Sequence, residues 1–138
     1  MTSIFNRIYS NISTFVLLMK ANITQKMYFK IIKCPLMRKG WTLNFFGLFL
    51  TRNPEQITPR IINHELIHTA QMRELFWIPF YIVYALEWIG RFVCCGNAGK
   101  AYRTISFEKE AYKNDQKPNY LSSRIPFNQW RTDKGRIK

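Results

Sequence analysis

From Thr58 to Leu75 the apolar residues Ile61, Ile62, Leu66, Ile67, Ala70, Met72 and Leu75 recur at the spacing of a helix face, separated by polar positions. Thr58 followed by Pro59 reads as an N-cap and first helical position, and neither Gly nor Pro interrupts the chain from Arg60 to Ile78. The pattern predicts a helix that Pro79 kinks or ends, because proline lacks the amide proton that continues the ladder. Past it the periodicity gives way to a run. Leu75 to Leu86 reads LFWIPFYIVYAL without a charge and continues beyond Glu87 as WIGRFVCC. The uncharged run is too short to span a bilayer, which takes about 20 residues, so it predicts a core helix, a re-entrant segment or an interfacial helix. Trp77, Tyr81, Tyr84 and Trp88 recur within the apolar segment, residues 75–95, at helical spacings, and such rings favour a headgroup boundary.

Upstream the apolar positions are organised differently. Met27 to Cys34 and Trp41 to Thr51 are rich in Phe, Ile, Tyr and Leu and are bounded by Pro35, Gly40 and Asn53-Pro54, which predicts two short strands joined by a basic turn. Ile4 to Met19 reads as an amphipathic helix within an N-terminal extension, residues 1–26, without the basic start and cleavage site of a signal peptide. The tail from Lys117, with Tyr120, Arg124 and Trp130, is expected to wrap the domain before its basic end, residues 125–138, frays. One domain over residues 1–138 accounts for all of this, and its class is α+β.

Composition sharpens the picture in two places. Of the 138 residues 47% are apolar and 16% aromatic, enough to fill a core. The 21 Lys and Arg against 8 Asp and Glu give a net charge of +13, and no acidic residue precedes Glu55. Such a chain is drawn to polyanions. Without a zinc-finger, helix-turn-helix or RNA-recognition signature, an anionic membrane surface is the expected partner rather than nucleic acid. Cys34 and the neighbours Cys94 and Cys95 form no disulfide framework and read as thiols of a reducing compartment, with lipidation of the pair as a lesser alternative. The expected location is therefore cytoplasmic, with peripheral or monotopic attachment to the inner face of a membrane.

The predicted helix carries the chemistry. His64-Glu65-Leu66-Ile67-His68 is an HExxH pattern, and residues i and i+4 share a helix face, so the two imidazoles converge on one cation. Glu65 is rotated away from the metal and reaches a metal-held water as general base. A catalytic zinc requires a third protein ligand and an open position, and Glu108 and Glu110 in Ser106-Phe107-Glu108-Lys109-Glu110-Ala111-Tyr112 are the candidates on a second predicted helix. Two apart, they cannot share a helix face, so at most one ligates.

HExxH followed at a distance by a helical glutamate resembles the gluzincin metallopeptidases, and Glu108-Lys109-Glu110-Ala111-Tyr112 is similar to the ExxAD segment of their short membrane-associated members. The resemblance covers about His64 to Tyr112. It implies a compact zincin-like domain with a short N-terminal sheet, one bound zinc held by His64, His68 and Glu108, and Glu65 as general base. Glu110 is the alternative third ligand. Tyr112 departs from the pattern, standing where an Asp would orient a ligand histidine, and is a candidate for that outer position or for stabilising an oxyanion; Tyr120 and Arg124 are candidates for the oxyanion role alone, by nearness in sequence. The implied activity is a zinc metallopeptidase, a hydrolase acting on a peptide or protein substrate through a water activated by Glu65. A strand before the active-site helix would suit it, since a sheet edge can hold an extended peptide. Two other classes fit the same residues: a zinc-binding protein without activity, and a basic module that binds membrane or nucleic acid without metal.

Overall fold

Residues 29–131 are described by a computed structural model of the chain. Among them three strands, β1 (Lys30–Lys33), β2 (Thr42–Phe45) and β3 (Leu48–Thr51), precede five α-helices: α1 (Pro59–Glu74), α2 (Ile78–Cys95), α3 (Ala98–Thr104), α4 (Ser106–Asn114) and the short α5 (Tyr120–Ser123). The class is mixed α+β. The predicted N-terminal helix and the end of the basic tail lie outside the described residues.

The sheet corrects the two-strand expectation. Trp41 to Thr51 is a hairpin, not one strand, because the two-residue loop Phe46-Gly47 takes positive φ at both positions (51° and 83°) and turns the chain back on itself. β3 is then central, antiparallel to β2 and parallel to β1, in the order β1-β3-β2. Phe49 on β3 is fully buried.

Helix α1 begins where the sequence predicts: the Thr58 side chain accepts from the Ile61 amide, and Pro59 occupies the first turn. Its end comes earlier than Pro79 suggests. The amides of Phe76 and Trp77 turn back to the carbonyls of Arg73 and Met72, a Schellman closure, with Phe76 at φ 54° where glycine is usual. Trp77 follows at φ 66° and ψ −77°, and the Ile78 amide bonds the Phe76 carbonyl at 2.9 Å across it, making a γ-turn. Pro79 therefore lies in the first turn of α2, where its missing amide proton is harmless.

Helix α2 lies over a core of Met72, Phe80, Ile105 and Phe107. Of the two readings open for Trp77, Tyr81, Tyr84 and Trp88, a headgroup boundary or a core helix, their packing follows the second: all four lie partly buried against that core. Glu87 also faces inward, accepting from the Ser106 amide at 2.9 Å and its hydroxyl at 2.6 Å, and so caps α4.

Helices α1 and α4 run antiparallel, joined by three polar ties. Asn63 donates to the carbonyls of Asn114, Asp115 and Lys117 at one end, satisfying groups that the end of α4 leaves open. Gln71 donates to the Phe107 carbonyl and to Glu110 midway. At the far end the buried Arg124 guanidinium binds both Glu74 and Glu110. The C-terminal segment does wrap the helices, with the Trp130 ring 5.6 Å from that of Phe107.

Candidate metal centre

His64 and His68, one turn apart on α1, direct their Nε2 atoms at each other across 3.1 Å. The antiparallel contact with α4 brings Glu108 to both: Oε2 is 3.4 Å from His64 Nε2, and Oε1 is 3.2 Å from His68 Nε2. Ligand atoms placed tetrahedrally about 2.0–2.1 Å from a zinc ion stand about 3.3 Å apart, so these edges match three corners of such a site. Glu108 Oε2 is buried without a hydrogen-bond partner. An uncompensated carboxylate oxygen beside two imidazoles is what a cation would satisfy, and two imidazoles with one carboxylate is a donor set that suits zinc. Among the described residues this trio has the geometry to hold a metal ion.

The surroundings orient each of the three side chains. His68 Nδ1 is 2.8 Å from Gln71 Oε1. The Gln71 amide is itself turned by donating to Glu110 at 2.9 Å and to the Phe107 carbonyl at 3.2 Å, so its oxygen faces the ring. His68 therefore donates through Nδ1 and leaves Nε2 toward the cluster. The Tyr84 hydroxyl, from α2, donates to Glu108 Oε1 at 2.7 Å. His64 Nδ1 lies 3.8 Å from Asp115 Oδ2, which also binds Arg60 at 2.9 Å.

These contacts separate the two glutamates. Glu110 is not at the cluster: it accepts from Arg124, Gln71 and Tyr120 instead. The two-residue spacing rotates it off the Glu108 face of α4, as helix geometry requires. Tyr120 and Arg124, candidates for an oxyanion partner, are engaged with this same Glu110. Tyr112 sets its ring edge-on to His64 with centroids 4.7 Å apart, while the carboxylate near His64 comes from Asp115, one helical turn later. Gln71 and Asp115 were not singled out from sequence, and Tyr84 was read there only as a ring of the apolar segment, not as part of the site. Gln71 had a signal, a polar residue three after His68 on the same helix face; Tyr84 and Asp115 had none, since packing alone brings them near.

Electrostatics follow from this crowding. Burial pushes the Glu65 carboxyl up to about 7, with His68 opposing the rise and the Glu108 charge adding to it. Burial by itself would lower His68, but the adjoining Glu108 carboxylate, with Glu65 and the Gln71 bond, outweighs it and raises the ring to about 9. Burial would raise Glu108, but the neighbouring His68 charge, His64 and the Tyr84 hydroxyl hold it well below the usual carboxylate range. Glu65 is also fixed through its backbone. Asn44 on β2 donates to the Glu65 carbonyl at 2.6 Å and to the Thr69 hydroxyl at 2.9 Å, docking this edge strand on α1.

Comparison of the chain with protein-family models, with curated proteins and with solved structures returns no match.

Proposed function

We propose that this protein is a zinc-dependent peptidase of zincin-like build, with His64, His68 and Glu108 as ligands and Glu65 as general base. One observation carries the reading: Glu108, on a separate helix, lies within 3.4 Å of both imidazoles of the HExxH pair. His64, His68 and Glu108 would hold the ion, and a bound zinc would supply Lewis acidity toward a carbonyl and toward a water near neutral pH. The Glu65 carboxylate, next to His64 in sequence and buried with the cluster, is the group that would take a proton from the attacking water and return it to the leaving amine. Gln71 and Tyr84 hold the imidazole of His68 and the carboxylate of Glu108 in place, so little reorganisation accompanies binding. The edge of β2, unpaired among the described residues and tied to the Glu65 carbonyl through Asn44, supports a peptide substrate, because an extended chain can pair there as an added strand.

The test is metal content followed by hydrolysis. About one zinc per chain is expected by elemental analysis, lost in His68→Ala and in Glu108→Ala but kept in Glu110→Gln. Glu65→Gln is expected to keep the zinc and lose hydrolysis of a mixed peptide library. Zinc with hydrolysis indifferent to Glu65 would leave a metal-binding protein of another kind; a folded parent that takes up no zinc would end the reading.

A further inference from the structure

We propose that the outer face of α2 docks on an anionic lipid bilayer, with the helix lying along the headgroup boundary instead of crossing it. The face is continuous and apolar. Ile78, Ile82, Leu86, Ile89 and Val93 follow one another three or four residues apart, each at least 49% exposed, and no element among the described residues covers them. The hairpin tip packs against the start of α2, where the Phe46 ring stacks on Trp77 at 5.7 Å and the Phe46 amide donates to the Tyr81 hydroxyl at 3.1 Å. Exposed apolar patches of this kind mark interaction surfaces.

Charge selects lipid as the occupant. Five of the acidic side chains, Glu65, Glu74, Glu108, Glu110 and Asp115, are buried in the metal cluster and the Arg124 network, and Glu87 is turned inward on α4. Among the described residues only Glu55 remains as an exposed acid. Lys33, Arg38 and Lys39 beside the sheet, and Lys100 and Arg103 beyond the end of α2, are exposed. The fold has thus taken most of its negative charge inside and left the described surface cationic, which, with the apolar stripe, complements an anionic headgroup layer over hydrocarbon.

The inner side of α2 decides between lying and spanning. Although the helix is long and apolar enough to cross a membrane, Tyr84 binds Glu108, Glu87 caps α4, and Arg91 pairs with Glu87 at 2.6 Å. Crossing would draw these groups and the polar helix they hold into hydrocarbon. Lying flat buries only the outer stripe and leaves every such bond intact. Docking of this face requires no bound metal.

Sedimentation of the full chain with vesicles of phosphatidylcholine, with and without phosphatidylglycerol, tests it. Binding is expected to the anionic vesicles, to weaken with added salt, and to fall by about tenfold or more in Ile82→Glu/Leu86→Glu, whose near-ultraviolet circular dichroism reports that it remains folded. A separate Leu86→Trp variant places a probe on the outer face; strong quenching by a spin label near the headgroup and weak quenching by one at the acyl terminus are expected. No vesicle binding by the folded parent, binding unchanged by the double substitution, or quenching strongest at the acyl terminus would overturn the proposal. A lipid-indifferent dimer that the double substitution dissociates would overturn it too and assign the face to a second copy.

Discussion

His68 is oriented by a chain of side chains: Arg124 holds Glu110, Glu110 accepts from Gln71, and Gln71 accepts from the imidazole. Its raised pKa of about 9 makes a proton the competitor of any metal at Nε2, the nitrogen facing the cluster. Zinc affinity is therefore expected to rise about tenfold per pH unit between about pH 7 and 9 and then flatten, with about one proton released on binding at pH 7, measured by calorimetry in buffers of different ionisation enthalpy. The same shifts set the stability of the metal-free protein. For His68, raised from 6.5, the stabilising contribution is complete below that value and is lost as pH rises through about 9; for Glu65, raised from 4.5, it is lost as pH rises through about 7. Glu108, lowered, contributes above 4.5 and loses its contribution only in acid. Thermal unfolding of the metal-free chain is thus expected at falling temperature from about pH 6 to 9, and zinc is expected to remove the trend. Removing a single orienting group should act through affinity: Tyr84→Phe deletes the hydroxyl 2.7 Å from Glu108 and is expected to weaken zinc about 10- to 100-fold in a chelator competition.

Two elements, α1 and α4, create the cluster, and their alignment rests on polar ties that the C-terminal segment completes. Arg124→Met would leave Glu74 and Glu110 buried without their common counter-ion, and an expected loss of about 3–5 kcal/mol should appear in chemical denaturation. The joint between α1 and α2 is strained in the other sense. Phe76 is 66% exposed and holds φ 54°, a left-handed conformation that disfavours side chains with a Cβ. Phe76→Gly is expected to raise stability by roughly 1 kcal/mol, since little burial is lost and the helix closure is relieved; a lower unfolding temperature would show that the ring contributes more than its exposure implies. This joint explains why α2 starts a separate element before Pro79 can act as a breaker.

At the scale of the whole molecule, interior and surface divide the charges of the described residues: most acids are drawn inside by the cluster and by the buried Arg124, Glu55 stays exposed, and most other cations stay out. A net charge of +13 is visible in the composition, but its concentration at the surface is a result of packing. The HExxH pattern, the N-cap at Thr58 and the α+β class were legible because they depend on local spacing and backbone chemistry. The same helical geometry set Glu108 and Glu110 on different faces without telling which one meets the histidines. That choice waited for α4 to meet α1 antiparallel, which turned Glu108 to the histidines and Glu110 to Arg124. The hairpin inside Trp41 to Thr51, the inward turn of the α2 aromatics and the arrival of Tyr84 and Asp115 were equally out of reach of periodicity. Spacing along the chain determines which residues share a face of one element, whereas contacts between elements depend on how those faces bury one another, and only the packed structure decides that.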